Sequence, residues 1–284
     1  MVLPSTLDPW FAALLGLLVG SFLNVVIHRL PQMLERQWQA ECASLASGTE
    51  ASESPTKFNL MYPPSRCPHC GHLIRWYENI PVLSYLFLRG KCSSCSASIS
   101  LRYPLVEIAT AVVFWFCARQ FVAFLPSLLW CGFGAALLCL ALIDWDTTLL
   151  PDDITLPLVW AGLVAAMLGL NPLVASFSSA FWGAVAGYMS LWTIYWIFYL
   201  LTKKQGMGYG DFKLFAALGA WLGWNMLIPV ILMASCIGAV AGIALKFNEK
   251  LRPGGYVPFG PFLAGAGFVV LFVGPATMSR LLGH

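Results

Sequence analysis

Long apolar segments recur along almost the whole chain, separated by short polar stretches or by stretches rich in Gly and Pro. A helix that crosses a bilayer needs roughly 17–25 predominantly apolar residues. Eight segments approach or meet that length, at residues 10–27, 103–121, 125–143, 154–170, 177–201, 212–227, 229–245 and 256–281. The sixth is short, and three prolines (Pro258, Pro261 and Pro275) predict a kinked or broken last helix. The pattern predicts an all-α polytopic membrane protein with about eight transmembrane helices.

The composition agrees with a membrane protein. Hydrophobic residues make up 59% of the chain and charged residues 10%, whereas soluble domains have roughly 45–50% and roughly 25%. The net charge of +3 is too small to indicate a nucleic-acid partner. The residues before the first apolar segment include Asp8 but no basic residue. This segment therefore lacks the cationic start of a cleavable signal peptide and is expected to stay as a membrane anchor.

The distribution of basic residues predicts the orientation. Of the 16 Lys and Arg residues, all but Arg119 and Arg280 fall in segment 29–102 or in later loops on the same side. The positive-inside rule therefore places segment 29–102 in the cytoplasm and both termini outside. The predicted domains are a first transmembrane helix at 1–28, a cytoplasmic domain at 29–102, and a membrane domain with about seven helices at 103–284.

The cytoplasmic segment divides in two. Residues 37–56 are rich in Ala, Ser, Glu and Gly without an apolar period, which predicts a flexible insert or an amphipathic fragment with no core of its own. Residues 63–102 carry two Cys-x-x-Cys pairs separated by 21 residues. That pattern is typical of a structural zinc site in a zinc-ribbon-like domain. The four predicted ligands are Cys67, Cys70, Cys92 and Cys95.

Other interpretations of these cysteines are weaker. Disulfides are disfavoured in a reducing cytoplasm, and a redox site would need only one Cys-x-x-Cys pair. His69 and His72 flank the first pair and either replace a ligand or are exposed turn residues. Four sulfur ligands would leave no open position for water, so the metal would stabilise the fold of this small domain.

Carboxylates at the membrane edge are the candidate catalytic groups, because an ionisable side chain in hydrocarbon costs at least roughly 2.5–3.5 kcal/mol. Asp144 follows the third apolar segment, and Asp211 begins the sixth within Gly208-Tyr209-Gly210-Asp211. The predicted topology puts both at the cytoplasmic edge. Two neighbouring carboxylates cannot both ionise, so one acts as acid while the other activates water. This arrangement predicts an aspartic peptidase.

The carboxylates also have ordinary interpretations, about as good from the residues alone. Asp211 could cap a helix, and Asp144 and Asp146 could be interfacial charges. Asp144 and Asp146 cannot share one task, because residues two apart on a helix point about 200° from each other; Asp144 is deeper and is favoured. Asp146, Asp152 and Asp153 are expected to be solvated charges or caps. Glu107 is expected to pair with Arg102 or with a lipid-facing water molecule, in a supporting or a direct role.

Several motifs occur together in one order along the chain. They are GSFLNVVIHRLP at 20–31, the two Cys-x-x-Cys pairs, ENIP at 78–81, RYP at 102–104, Asp144 six residues before LPD at 150–152, and GYGDFK at 208–213. In this order they resemble the type IV prepilin peptidases, over essentially the whole chain. Residues 37–56 match no motif of that family.

The resemblance implies a bifunctional enzyme of type IV pilus assembly or type II secretion in a bacterial inner membrane. It would cut the leader from prepilins and pseudopilins after a glycine on the cytoplasmic side, and then methylate the new N-terminus with S-adenosylmethionine. The family's catalytic aspartates match Asp144 and Asp211, and its zinc cysteines match the four ligands predicted above. The natural substrate and the formation of a homo-oligomer stay open.

The site for S-adenosylmethionine is not evident, because the chain has no glycine-rich Rossmann fingerprint. The cofactor would bind on the cytoplasmic domain or at its junction with the membrane. Polar candidates there are Asn24, His28, Arg29, Glu78, Asn79 and Arg102. Caps and loop hydrogen bonds explain these residues equally well.

Two other functions compete with the peptidase. A membrane scaffold or transporter with a zinc-ribbon recruitment domain would need the cysteines but not Asp144 or Asp211. A membrane metalloprotease would need a motif such as His-Glu-x-x-His, and the chain's four histidines supply none.

Overall fold

A computed structural model describes residues 6–47, 58–204, 206–247 and 257–281. These residues form helices, with isolated β-bridges but no strand among them. The α-helices are α1 (Pro9–Ser47), α2 (Leu83–Phe87), α3 (Arg102–Gln120), α4 (Phe124–Thr147), α5 (Asp152–Met167), α6 (Phe177–Thr202), α7 (Tyr209–Leu222), α8 (Leu227–Phe247), α9 (Gly260–Val273) and α10 (Pro275–Leu281). Short 3₁₀ turns occupy Trp76–Asn79 and Trp224–Met226. The all-α prediction is confirmed.

Helices lie at all eight predicted apolar segments. In the described part of the chain, four are long and apolar enough to cross a membrane: Pro9–Ala46, Phe124–Thr147, Phe177–Thr202 and Trp224–Phe247. Helices α5, α7 and α9 have 16, 14 and 14 residues. At 1.5 Å per residue they are about 21–24 Å long, less than the roughly 30 Å hydrocarbon core.

Helix α1 is much longer than the predicted 10–27 segment. It continues through Pro31 to Ser47 as one helix of 39 residues. A flexible insert is therefore wrong for residues 37–47, whereas the alternative of a fragment without its own core stands, because nearly all of these helical residues are exposed. Residues 48–56 lie outside the described part of the chain. The physical reason is that residues 37–47 are mostly Ala, Leu, Glu and Gln, which are good helix formers, and extending an existing helix needs no new nucleus.

The broken last segment is confirmed in the described residues. Helix α9 ends where Gly274 adopts φ +82°, and α10 begins at Pro275. A side chain at this backbone conformation would be strained, and Pro275 has no N–H to continue the hydrogen-bond ladder.

The chain divides into two compact units, Met1–Gln120 and Phe121–His284. In the first unit, α1 packs closely on α3 at Gly20, which has no side chain: a Cβ there would lie only 2.7 Å from the Cα of Glu107. Glu107 is buried, and its Oε2 accepts a hydrogen bond from the backbone N–H of Val82 at 2.7 Å. This hydrogen bond ties the start of α2 to α3, a contact that the sequence did not predict.

In the second unit, α7 is the central helix. Every residue from Asp211 to Leu222 except Lys213 is buried. Gly183 of α6 and Gly219 of α7 let the two backbones touch, the kind of small-residue contact that packs membrane helices. Trp221 donates from Nε1 to the carbonyl oxygen of Leu158 on α5 at 2.8 Å. These contacts fix the position of Asp211 in the first turn of α7.

Candidate active site and metal centre

Asp144 lies in the last turn of α4 with only 4% of its surface exposed. The helix ends three residues later because Thr148 adopts a left-handed conformation (φ 58°) and donates its N–H to the carbonyl oxygen of Asp144 at 2.9 Å. Pro151 then begins the entry into α5. The helix end thus holds a buried carboxylate beside a tight turn.

The N-terminus of α9 contacts the same carboxylate. The backbone N–H of Gly260 donates to Oδ2 of Asp144 at 2.9 Å. A Cβ at position 260 would lie 2.5 Å from that oxygen and 3.1 Å from Cγ. Only a glycine allows the backbone to approach the carboxylate this closely without a shift.

Asp211 is the third residue of α7 and is 7% exposed. Gly208 is the N-cap residue of this helix, and Asp211, three positions later, hydrogen-bonds to the Gly208 backbone, so the interpretation of Asp211 as a capping residue is retained in part. The ring of Tyr209 packs at 5.2 Å from Tyr195 and at 5.5 Å from Phe212, measured between centroids. These aromatic contacts anchor the first turn of α7 and with it the carboxylate.

The structure brings Asp144 and Asp211 together, close enough for their charges to interact. Leu150 fills the space beside them: a Cβ at Gly210 would lie 2.6 Å from the Leu150 Cβ, and one at Gly260 would lie 3.3 Å from the Leu150 Cδ1. Two buried carboxylates, two glycines and one leucine therefore form a compact cluster. Such a pair can share a proton and activate a water molecule.

The neighbouring acids lie elsewhere. Asp146 is exposed, as its position two residues beyond Asp144 on the helix predicts. Asp153 is also exposed. The expectation of a solvated charge or cap at Asp152 misses its partner, because the Lys213 ammonium lies 2.6 Å and 2.7 Å from its two carboxylate oxygens. This ion pair links the N-terminal parts of α5 and α7. Lys213, two residues after Asp211, is the residue of the sequence that could have indicated this ion pair.

The two Cys-x-x-Cys pairs form one cluster in the first unit. The four Sγ atoms of Cys67, Cys70, Cys92 and Cys95 all lie within 4.8 Å of one another. Sγ of Cys67 is 3.8 Å from that of Cys95, and Sγ of Cys70 is 4.0 Å from that of Cys92. Tetrahedral ligation with metal–sulfur bonds of about 2.3 Å requires sulfur–sulfur distances of about 3.8 Å. The four residues fit a tetrahedral metal ion.

Both cysteine turns have the same backbone hydrogen bonds. Cys67 donates its N–H to His72 and Cys92 donates its N–H to Ala97, each at 2.9 Å. Within the first turn, hydrogen bonds from the backbone at Cys70 and at His69 lower the pKa of the Cys67 thiol to about 7. A lowered pKa favours the thiolate, which is the form that binds metal.

Neither flanking histidine belongs to the sulfur cluster. His69 is exposed, as one interpretation expected. His72 is half-buried and its Nε2 lies 3.2 Å from Oε2 of Glu78 and 3.3 Å from Oγ of Ser93. His72 therefore supports the side chain of Glu78, a role that the sequence did not indicate.

Comparison with known families agrees with both halves of this architecture. The family model described as "Bacterial Peptidase A24 N-terminal domain" matches residues 14–121. The family model described as "Type IV leader peptidase family" matches residues 131–243. The chain belongs to the type IV leader peptidase family. Its sulfur cluster lies in the first matched region, and Asp144 and Asp211 lie in the second.

Curated relatives of this leader peptidase share about half of its residues. A protein of Pseudomonas aeruginosa is 51% identical over 92% of this chain and 89% of its own length. One of Stutzerimonas stutzeri is 50% identical over 93% and 90%, and one of Aeromonas hydrophila is 49% identical over 94% and 92%. All three are named prepilin leader peptidase/N-methyltransferase. No solved structure matches the chain.

The six polar candidates for the methyl-donor site lie on several elements of the first unit. Asn24 donates from Nδ2 to the carbonyl oxygen of Tyr103, and His28 contacts Gln32 one turn along α1. Arg29 is buried and donates to the carbonyl oxygens of Asn59 and Leu60. Asn24 and Arg29 thus bind backbone carbonyl groups of segments that pack on α1.

The other three candidates lie in the cysteine-containing segment and at the start of α3. Asn79 is exposed at the end of a 3₁₀ turn, and Arg102 begins α3. Glu78 alone among the six candidates lines a cavity of about 700 Å³ in the first unit.

Proposed function

We propose that Asp144 and Asp211 are the catalytic pair with which this chain cuts prepilin leaders. The chain is a prepilin leader peptidase and N-methyltransferase, as its family and its relatives of about 50% identity indicate. The observation that carries the assignment of the pair is its geometry: both carboxylates are buried, they interact, and the Gly260 amide holds one of them in place.

The mechanism follows from two carboxylates that share one proton. The ionised carboxylate takes a proton from a water molecule, whose oxygen attacks the carbonyl carbon of the scissile peptide bond. The other carboxyl group donates its proton to the leaving amine as the bond breaks.

The substrates are prepilins, and the enzyme is embedded in a bacterial inner membrane. We infer that its active site faces the cytoplasm, because 14 of the 16 basic residues fall on the side of Asp144 and Asp211 in the predicted topology. A prepilin with a basic leader and an apolar helix would present its scissile bond at the interface between them. Inside-out membrane vesicles should cleave prepilin added outside them, whereas right-side-out vesicles should not.

We propose that the sulfur cluster holds a structural zinc ion. Four thiolates at tetrahedral spacing suit Zn²⁺, and closing two turns around one metal stabilises a segment that has little apolar core. The purified chain should contain zinc in equimolar amount. Cys95→Ala should remove it, whereas Cys236→Ala, which changes an exposed cysteine of α8, should not. Full zinc content in Cys95→Ala would contradict the assignment.

The direct test of both activities is mass spectrometry of a purified prepilin incubated with the detergent-solubilised full chain. We expect loss of the leader after a glycine, and addition of one methyl group to the new N-terminus only when S-adenosylmethionine is present. The competing scaffold or transporter function predicts an unchanged prepilin. The Gly260 contact with a buried carboxylate has no explanation in that function.

A further inference from the structure

A cavity of about 700 Å³ lies beside the sulfur cluster, lined by residues of segment 72–80, of α2 and of the second cysteine turn. Sites for small organic ligands commonly have volumes of roughly 300–1,000 Å³. The cavity combines charged, aromatic and hydroxyl side chains. They include Arg75, Tyr77, Glu78, Ser84, Phe87 and Ser93. The peptidase chemistry proposed above uses none of them.

The carboxylate of Glu78 is held rigidly at this cavity. Its side chain is 9% exposed, and its Oε2 accepts a hydrogen bond from the backbone N–H of Arg75 at 2.9 Å. The same oxygen lies 3.2 Å from Nε2 of His72, which in turn contacts Ser93. A carboxylate with so many contacts keeps one position and is suited to bind donor groups of a ligand.

We propose that this cavity is the binding site for S-adenosylmethionine. The inference rests on the methyltransferase activity of the enzyme and gives that activity a location. Glu78 would accept hydrogen bonds from the ribose hydroxyls or the ammonium group, and Arg75 would bind the carboxylate. The rings of Tyr77 and Phe87, which are 44% and 83% exposed, would contact the adenine and the sulfonium cation.

Other ligands fit the lining less well. A nucleotide with phosphate groups would call for several cations or a glycine-rich loop at a helix N-terminus, whereas the lining offers one guanidinium, which already donates to the Tyr77 hydroxyl. A basic leader peptide would be attracted by Glu78 but repelled by Arg75. A zwitterionic ligand with an aromatic base matches one acid, one base and two rings.

The test uses the full chain in detergent and measures the Kd of radiolabelled S-adenosylmethionine by equilibrium dialysis without prepilin. Ser84→Phe should fill the cavity and Glu78→Gln should remove its acid, each raising the Kd by about tenfold or more. Leu83→Phe is the matched control, because it adds bulk to the same helix at a side chain that is 53% exposed and does not line the cavity. It should leave the Kd unchanged.

Cleavage of prepilin and zinc content are measured on the same preparations and should stay within about twofold of wild type. Because binding is measured without prepilin, a failure of the proposed peptidase function appears only in the cleavage assay. An unchanged Kd in Ser84→Phe with full zinc would overturn the proposal. So would an unchanged Kd accompanied by a raised KM for prepilin, which would show that the cavity holds the leader.

A second measurement covers the case in which the variants do not fold. Wild-type enzyme is photolabelled with an azido derivative of S-adenosylmethionine, in competition with S-adenosylhomocysteine, and the labelled peptide is sequenced by mass spectrometry. We expect the label within residues 72–94. A competed label confined to any other part of the chain would overturn the proposal.

Discussion

The backbone amide of Gly260 donates a hydrogen bond to the carboxylate of Asp144, 116 positions earlier in the chain. The N–H groups of a first helical turn have no partner inside the helix and tend to bind negative charge. The first turn of α9 therefore fixes the carboxylate at the end of α4. A bond between two helices that are distant in sequence thereby sets the geometry of the proposed catalytic pair.

Gly260→Ala should reduce prepilin cleavage by at least about tenfold, because a Cβ there would lie 2.5 Å from Oδ2 of Asp144 and must displace it. Gly265→Ala in the same helix is the matched control, since a Cβ at that position meets nothing within 4 Å. The measurement is kcat for cleavage by folded, zinc-containing protein. Equal kcat values for the two variants would mean that the Gly260 contact does not position the acid.

Gly210→Ala should lower both activity and thermal stability, because its Cβ would lie 2.6 Å from the Cβ of Leu150. Leu150→Ala in the same chain removes the atoms that clash and should restore part of the loss. We expect a coupling energy of roughly 0.5–3 kcal/mol in a double-mutant cycle of thermal unfolding. Strictly additive effects would show that Leu150 does not fill the space beside Asp211.

Glu78 should make stability depend on pH. A hydrogen bond from the backbone N–H of Arg75 and a weaker effect of a hydrogen bond from the Ser93 side chain lower the pKa of Glu78 to about 2. This value is below the pKa of about 4.3 in an unfolded chain. The contribution of ionised Glu78 to the free energy of unfolding is therefore complete above about pH 4.3 and is lost as the pH falls toward 2. The difference in thermal midpoint between wild type and Glu78→Gln should be largest near pH 7 and shrink near pH 3.5.

Protonation of the proposed zinc thiolates would also weaken this segment in acid, so the comparison uses only the pH range in which wild type and Glu78→Gln keep equal zinc content. Glu35→Gln, which removes an exposed carboxylate of α1, controls for the change in net charge. A difference that stays constant between pH 7 and pH 3.5 would contradict the lowered pKa.

Local patterns in the sequence predicted most of the architecture. Apolar length located the helices, proline located the break near Gly274, and the spacing of the cysteines located the sulfur cluster. Helical geometry separated Asp144 from Asp146, the position of Asp144 directly after the apolar segment favoured it, and the structure buries the first and exposes the second. Each of these features depends on residues that are near one another in the chain.

The features that the sequence did not reveal depend on contacts between distant segments. The hydrogen bond from Val82 to Glu107, the ion pair of Lys213 with Asp152 and the Gly260 contact with Asp144 span 25, 61 and 116 positions. The cavity around Glu78 likewise needs the packing of a turn against α2. Hydrophobic periodicity carries no information about such pairings.

The measurement that tests the proposed catalytic pair most directly is prepilin cleavage by Asp144→Asn, Asp211→Asn and the control Asp146→Asn, each purified and checked for folding and zinc. The isosteric change removes the proton-transferring acid but keeps its shape, so the first two variants should lose activity by at least about 10²–10⁴-fold. Asp146→Asn changes an exposed carboxylate and should cut at close to the wild-type rate. Substantial cleavage by either Asp144→Asn or Asp211→Asn would contradict the assignment of this pair.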